Sequence, residues 1–187
     1  MFGIIIIMSF LYKYKIKILL ILGIIILCSF VIYFSEKKDS YVYKLKNVPK
    51  IEKGIEYRVV NVLDGDTFEI KIANKITKVR MLGIDTPETL DPRKPVQCFG
   101  KEASEKTKSL LTGKSVTLVS DKSQSYADKY LRILAYVYED EMFINQYLVE
   151  NGYAREYTYD KSYKFQSDFK NLEKTAKGNR IGLWSKC

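Results

Sequence analysis

Three short segments of this sequence, 64–67, 80–88 and 128–132, hold side chains suited to chemistry on phosphate. The side chains are Asp66, Arg80, Asp85, Glu88 and Arg132. Carboxylate oxygens are the ligands that hard cations such as calcium and magnesium prefer, and arginine forks match phosphate oxygens in pairs. A cation and two guanidinium groups can together stabilise the charge that develops on phosphorus. The set is therefore typical of a site that cleaves phosphodiester bonds.

Asp66 and Arg80 fall in a predicted meander of three strands. Tyr57–Leu63 is a largely apolar run, and Asp64-Gly65 after it is a strong hairpin dipeptide. Thr67–Ile72 alternates apolar and polar residues, which is typical of a half-buried strand. Alternation resumes over Thr77–Ile84 after a turn at Asn74. The pattern thus places the acidic turn and Arg80 on neighbouring strands.

The remaining elements complete a small barrel. A loop with three prolines is predicted over residues 86–100. The patterns then predict helices over Lys101–Leu111, Met142–Glu150 and Ser162–Lys177, and strands over Ser115–Ser120 and Ile133–Tyr138. Five strands with one helix after the third and two at the end favour an α+β, mainly β fold. We expect a five-stranded OB-fold-like barrel with three helices, preceded by one N-terminal transmembrane helix.

The N-terminal segment is predicted to cross a membrane. Ile18–Phe34 contains 17 residues without a charge, and as a helix it spans ~25 Å, the short end of what crosses a bilayer. Lysines at 13, 15 and 17 precede it, so the positive-inside rule places everything after it outside the cytoplasm. We expect a stub and transmembrane anchor over 1–34, a polar tether over 35–54 and a globular domain over 55–187.

Two alternatives remain open for this segment. A cleavable signal peptide would make the protein secreted, although no small-x-small cleavage site follows the apolar run. The chain begins with a further apolar stretch, so Met8 is a second candidate for the start codon besides Met1. Cys28 lies inside the apolar run and is interpreted as an ordinary apolar-like residue of the helix.

Charge and residue usage exclude several classes of site. Residues 1–50 hold 8 Lys and Arg against 2 Asp and Glu, so +6 of the net charge of +9 lies beside the predicted membrane helix. Nucleic-acid binding by the domain must then come from local placement of cations. The chain has no histidine, which excludes Ser-His-Asp triads and histidine-ligated zinc.

Cys98 and Cys187, both on the predicted exported side, are predicted to form a disulfide, with two free thiols as the alternative.

Six motifs in order resemble the staphylococcal nuclease (thermonuclease) family. The resemblance runs from about Tyr57 to Trp184. The motifs are Asp64-Gly-Asp-Thr67, Arg80 with Gly83-Ile-Asp-Thr-Pro-Glu88, Gly100-Lys-Glu-Ala103, Asp128-Lys-Tyr-Leu-Arg132, Leu134-Ala-Tyr136 and Gly182-Leu-Trp184. The family fold is an OB-like barrel, and its chemistry is calcium-dependent hydrolysis of DNA and RNA. The resemblance therefore implies an endonuclease with Ca²⁺ as cofactor and nucleic acid as substrate, which we expect to be a monomer.

The resemblance also implies a role for each matching residue. Asp66 and Asp85 would be calcium ligands, with the backbone carbonyl of Thr86 as a third. Glu88 would orient or deprotonate the attacking water, and the scissile phosphate would be bound by Arg80 and Arg132. Nucleotide phosphates and bases would contact Lys129, Tyr130, Tyr157 and Tyr159. Independently, Pro87 keeps Thr86 out of the helical region, which leaves its carbonyl available to a cation.

Other interpretations of these residues stay open. Asp64 is interpreted mainly as a turn residue, Arg80 could form an ion pair at the barrel rim with Asp85 or Glu88, and Arg132 could be a surface charge. Tyr157 and Tyr159 could pack at the barrel edge instead of stacking on bases. The alternative function is a catalytically inactive module that binds nucleic acid or another ligand at the membrane surface.

One departure from the family pattern concerns the segment 128–132. Leu131 occupies a position where family members often have glycine. We therefore expect the backbone before Arg132 to bend differently from that of family members with glycine at this position.

Overall fold

The computed structural model describes residues 2–89 and 95–187. The chain divides into two compact units, of which the first ends at Asn47 and the second begins at Val48. Each unit is described by itself.

The first unit is a single helix, α1 (Phe2–Lys46). Within the described residues it is the one helix long and apolar enough to cross a membrane, over Lys17–Lys46, and none of that window is buried. The predicted apolar N-terminal helix is therefore confirmed, whereas its insertion in a membrane stays a prediction. Because α1 continues to Lys46, residues 35–46 of the predicted tether are helical; the tether itself also stays a prediction.

The second unit is built on a closed barrel of five strands. In chain order they are β1 (Glu56–Asp64), β2 (Thr67–Ile72), β3 (Lys75–Met81), β5 (Ser115–Val119) and β6 (Ile133–Glu139), with the two-residue strand β4 (Ile84–Asp85) after β3. Neighbours pair in the order β3-β2-β1-β5-β6, and a parallel pairing of β3 with β6 closes the barrel. Phe68, Ile70 and Val79 alternate inward and are fully buried. The predicted five-stranded barrel is confirmed.

Within the described residues of this unit, four helices surround the barrel, one more than predicted. They are α2 (Gly100–Leu111), α3 (Ile144–Glu150), α4 (Gln166–Gly178) and α5 (Leu183–Lys186). The extra helix α5 is four residues long and follows Gly182, whose φ of 57° turns the chain so that Leu183 enters the core. Its length is too short for a periodic pattern to predict.

At several element boundaries the prediction was wrong, and tertiary contacts account for three of them. Strand β3 ends at Met81, since Gly83 turns with a φ of 75° and Ile84–Asp85 pairs instead with a short strand, β8 (Arg155–Glu156). The helix predicted from Met142 begins at Ile144, because Met142–Phe143 forms β7 against β6. The last predicted helix, α4, begins at Gln166 rather than Ser162, because the Lys164 amide donates to the Asp121 carboxylate at 2.8 Å.

A buried asparagine holds the barrel where it closes. Asn145 is fully buried on α3; its Oδ1 accepts from the Val137 amide at 2.8 Å, and its Nδ2 donates to the Leu82 carbonyl at 2.8 Å. It therefore joins β6 to the residue that follows β3. Arg80 is paired with Leu134 across this closure, so the predicted arginine of β3 and the segment that carries Arg132 lie on adjoining strands.

Candidate active site

The turn between β1 and β2 packs tightly against Thr86. A Cβ atom at Gly65 would lie 2.7 Å from the Thr86 Oγ1, so only glycine fits there. Thr107 of α2 donates to the Gly65 carbonyl at 2.6 Å. Asp64 Oδ1 accepts from the Gly65 amide at 2.8 Å and from Thr89 Oγ1 at 2.7 Å, in keeping with its interpretation as a turn residue. The turn and the 86–89 segment thus form one unit.

Asp66 lies at the centre of this unit and is nearly buried. Its Oδ2 accepts from the Thr86 amide at 3.0 Å and from the Thr86 hydroxyl at 3.1 Å. Its Oδ1 accepts from the Thr67 hydroxyl at 2.9 Å. The structure therefore brings together Asp66 and Thr86, two of the three residues predicted to hold calcium.

Arg80 lies between the two predicted carboxylate ligands. One terminal nitrogen is 3.1 Å from Asp66 Oδ2 and 2.8 Å from Asp85 Oδ1. The other donates to the carbonyls of Met81 at 2.9 Å and Ile84 at 2.7 Å. The ion pair with Asp85 that the sequence left open is present, and a second one, with Asp66, accompanies it.

Burial and neighbouring negative charge raise the pKa of two carboxyl groups in this unit. Partial burial raises the pKa of Asp85, Arg80 lowers it, and the charges of Asp66 and Glu88 raise it again, so the pKa lies above its ordinary value. Burial likewise raises the pKa of Asp64, against hydrogen bonds to its carboxylate, and the charges of Asp66 and Glu88 add to the rise. A cation bound among these carboxylates would relieve their repulsion.

The donor set fits a calcium ion only if backbone or water oxygens contribute. Within residues 2–89 and 95–187, no three acidic or cysteine side chains are grouped closely enough to hold a metal. Asp66 and Asp85 supply two carboxylates, both drawn to the same nitrogen of Arg80. Calcium takes carboxylate, carbonyl and water oxygens in flexible geometry. The residues present therefore fit a carboxylate–carbonyl site for this ion.

Glu88 is fixed through its backbone. Its amide donates to Gln97 Oε1 at 2.9 Å, and its carbonyl accepts from the Gln97 amide at 3.0 Å. After burial, the charge of Glu88 is one of the smaller causes that raise the pKa of Asp64 and of the predicted ligand Asp85, so its carboxylate lies within electrostatic range of both. The structure thus places Glu88 two residues after Thr86, within electrostatic range of Asp85.

Arg132 ends a loop that Asp128 organises. Asp128 Oδ1 accepts from the amides of Tyr130 at 2.9 Å and Arg132 at 3.0 Å. Its Oδ2 lies 2.6 Å from both Nε and a terminal nitrogen of Arg132. Tyr130 is 67% exposed, and its ring lies 5.1 Å from the Lys129 ammonium and 5.3 Å from the Arg132 guanidinium. The predicted substrate-binding pair thus borders the second arginine.

Leu131 adopts the backbone conformation that glycine favours, with a φ of 63°. A left-handed residue with a Cβ costs ~1–2 kcal/mol, and glycine loses ~0.5–1 kcal/mol more chain entropy on folding. We therefore expect Leu131→Gly to raise the free energy of unfolding by ~0.5–1 kcal/mol in urea titrations. Leu131→Ala is the control, because it keeps the Cβ and should bring no gain. Equal changes in the free energy of unfolding for the two substitutions would contradict backbone strain at Leu131.

The two remaining residues that were predicted to contact the substrate, Tyr157 and Tyr159, follow β8 in the chain. Tyr157 donates its amide to the Gly83 carbonyl at 2.9 Å, next to the strand that carries Asp85. Tyr157 is 43% exposed and Tyr159 75% exposed, with ring centroids 6.4 Å apart. Both rings are therefore accessible to a ligand on the side of the domain where β4 pairs with β8.

Arg155 was not predicted from the sequence. It pairs directly with Asp85 across β4 and β8, and its charge lowers the pKa of Asp85. Its guanidinium lies 5.4 Å from the ring of Trp184, which also contacts the Lys177 ammonium at 4.4 Å. Only the register between two strands some 70 residues apart in sequence reveals it, because no local motif contains Arg155.

The predicted cysteine pair lies beside the Glu88 segment. Cys98 and Cys187 form a candidate disulfide with Cα atoms 5.9 Å apart, inside the range that a disulfide spans. Cys98 directly follows Gln97, the residue that binds the Glu88 backbone. Cys28 is the free cysteine.

Comparison with known proteins agrees with the geometry. The profile of the family described as "Staphylococcal nuclease homologue" matches residues 78–186. The chain is 41% identical over 129 residues to the thermonuclease of Staphylococcus hyicus, covering 69% of this chain and 75% of that protein. It is 38% identical over 135 residues to endonuclease YncB of Bacillus subtilis (strain 168), covering 69% of this chain and 64% of that protein. With its closed barrel and the six ordered motifs, this chain belongs to the staphylococcal nuclease family.

Proposed function

We propose that this chain is a calcium-dependent endonuclease that hydrolyses phosphodiester bonds of DNA, RNA or both outside the cytoplasm. Membership of the family makes it a nuclease hydrolase. The observation that carries the finer proposal is the grouping of Arg80 with Asp66 and Asp85, at 3.1 and 2.8 Å, beside Thr86 and Glu88.

Asp66, Asp85 and the carbonyl of Thr86 are proposed to hold the calcium ion. Bound there, calcium supplies positive charge that stabilises a negatively charged phosphate and orients water. The hydrogen bonds from Thr86 to Asp66 keep these two residues together before any ion binds. Burial, and after it the charges of Asp66 and Glu88, raise the pKa of Asp85, and a cation bound at this position would stabilise its ionised form.

Glu88 is proposed as the base that accepts a proton from the attacking water on its carboxylate. The chain contains no histidine, so a carboxylate is the natural choice. Arg80 and Arg132 are proposed to bind the phosphate oxygens as charge develops. In the structure Asp128 holds the Arg132 fork, so an incoming phosphate competes with a fixed carboxylate instead of ordering a mobile side chain.

The nucleic-acid strand is proposed to run across the exposed aromatic and basic residues next to the arginines. Lys129 would contact phosphate, and Tyr130, Tyr157 and Tyr159 offer exposed rings on which bases stack. The apolar helix α1 is proposed to anchor the domain to the cell membrane with the domain outside, or to direct its secretion if it is removed.

The proposal is tested with the full chain, purified in detergent, on closed circular plasmid DNA and on RNA. We expect nicking and linearisation with calcium, less than a tenth of that rate with magnesium, and none with a chelator until calcium is restored. Magnesium should fail because it demands tighter octahedral geometry than a flexible carboxylate–carbonyl site offers.

Two outcomes would contradict the proposal. Undiminished cleavage in chelator would exclude a calcium mechanism. Retarded migration of nucleic acid with no cleavage under any of these conditions would instead identify a binding module without activity. A preparation of Glu88→Gln made in parallel controls for contaminating nucleases.

A further inference from the structure

The segment just before α2 is bonded to the backbone of Glu88. Gln97 accepts from the Glu88 amide through Oε1 at 2.9 Å and donates its own amide to the Glu88 carbonyl at 3.0 Å. Three residues later, a Cβ on Gly100 would lie 3.2 Å from the Pro87 carbonyl and 3.3 Å from the Glu88 carbonyl. The first turn of the helix therefore contacts the Glu88 segment closely, and one residue binds both polar backbone groups of Glu88.

Helix α2 is a rigid support for this contact. Its residues Ala103 and Leu111 are fully buried, and the buried Thr107 binds the Gly65 carbonyl at 2.6 Å. Gly65 directly precedes Asp66, so the same helix contacts both the turn of the first proposed ligand and the segment of the proposed base. A displacement of Glu88 relative to Asp66 would require one of these contacts to break.

The C-terminal part of the chain also contacts the residues that directly follow Gln97. Cys98 forms the candidate disulfide with Cys187, and the Phe99 ring packs on Tyr153 at 5.7 Å between centroids. Leu183, four residues before Cys187, is buried in the core. Gln97 is thus held between α2 on one side and a buried C-terminal anchor on the other.

We propose that Gln97 is a positioning residue that aims the carboxylate of Glu88. With both its amide and its carbonyl bonded to Gln97, the backbone of Glu88 is held in place, which limits the positions that its carboxylate can take. A misplacement of ~1 Å in such a group can cost up to ~10²-fold in rate. The inference rests on the proposed role of Glu88 as base.

The test compares two substitutions of similar size in the full chain. Gln97→Met removes the acceptor oxygen, and we expect kcat to fall ~10-fold with KM changed less than ~2-fold, a partial loss of what positioning can supply. Gln97→Glu keeps an acceptor oxygen for the Glu88 amide and is expected to retain kcat within ~3-fold of the wild type, since a charged acceptor also bonds an amide. Gln146→Met, on the exposed side of α3, controls for the chemical change.

A double-mutant cycle separates positioning from a general structural effect. In the Glu88→Gln background, Gln97→Met should lower the residual rate no further, because the group that it positions is already gone. The inference is overturned if Gln97→Met keeps the wild-type kcat, or if it lowers the rate by the same factor in both backgrounds. A wild-type rate for Glu88→Gln alone would overturn the proposed base, so the two failures are distinguishable.

Discussion

Glu88→Gln is expected to lower kcat by at least ~10²-fold, the low end of what general-base catalysis contributes. The substitution keeps the size of the side chain and both backbone bonds to Gln97, but the amide cannot accept a proton from water. The measurement is kcat on plasmid DNA at saturating calcium. Because the proposed ligands Asp66 and Asp85 are untouched, calcium affinity should change far less than the rate.

Two comparisons make this result specific. Glu141→Gln, an exposed residue of the turn before β7, makes the same chemical change away from the site and should keep the wild-type kcat. The thermal midpoint of Glu88→Gln should remain that of the wild type, because the residue is not part of the core. Wild-type turnover in Glu88→Gln would exclude Glu88 as the base.

Arg132→Lys and Arg80→Lys are expected to lower kcat by ~10²-fold or more, with smaller changes in KM. Lysine keeps the charge but loses the planar fork, and a fork that binds the transition state more strongly than the ground state acts mainly on kcat. In the structure Arg132 donates to one oxygen of Asp128 from both Nε and a terminal nitrogen. The single ammonium nitrogen of a lysine cannot form this pair of side-by-side bonds.

The two arginine variants should differ in stability. Arg80 bonds two backbone carbonyls with one nitrogen and two carboxylates with the other, so Arg80→Lys leaves the nearly buried Asp66 short of a partner and should also lower the thermal midpoint. Arg132 is half-buried at the end of a surface loop and contacts one carboxylate, that of Asp128, so Arg132→Lys is the cleaner test of rate. Arg58→Lys, exposed on β1, is the matched control. Near-normal turnover in either variant would show that the reaction needs only the positive charge of that arginine and not its planar fork.

Local patterns predicted the elements whose signal lies within a few residues. The alternation over Thr67–Ile72 matches β2 residue for residue, and the dipeptide Asp64-Gly65 forms the turn before it. The helix predicted from Lys101 begins one residue earlier, at Gly100. The predictions of these elements are confirmed because each element depends on side-chain periodicity or on turn geometry, which neighbouring residues determine.

Long-range pairing decided the elements that the patterns missed. Ile84–Asp85 separates from β3 because it pairs with Arg155–Glu156, and the two-residue strands are too short for alternation to show. Asn145 joins β6 to Leu82 from inside a helix, where its sequence neighbours give no sign of a buried amide. Such contacts depend on which segments meet across the barrel, and a local pattern does not contain that information.

The sequence by itself determined the chemical types and their order: the acidic turn, two arginines, a glutamate after a proline, the absence of histidine and the family that these motifs resemble. The tertiary structure decided which groups meet. It placed Arg80 between Asp66 and Asp85, set Arg155 opposite Asp85 and bound Glu88 to Gln97. The physical reason is that closing a barrel brings together residues 20 to 70 positions apart, and the hydrogen bonds and charges that arrange a site act only at that short distance.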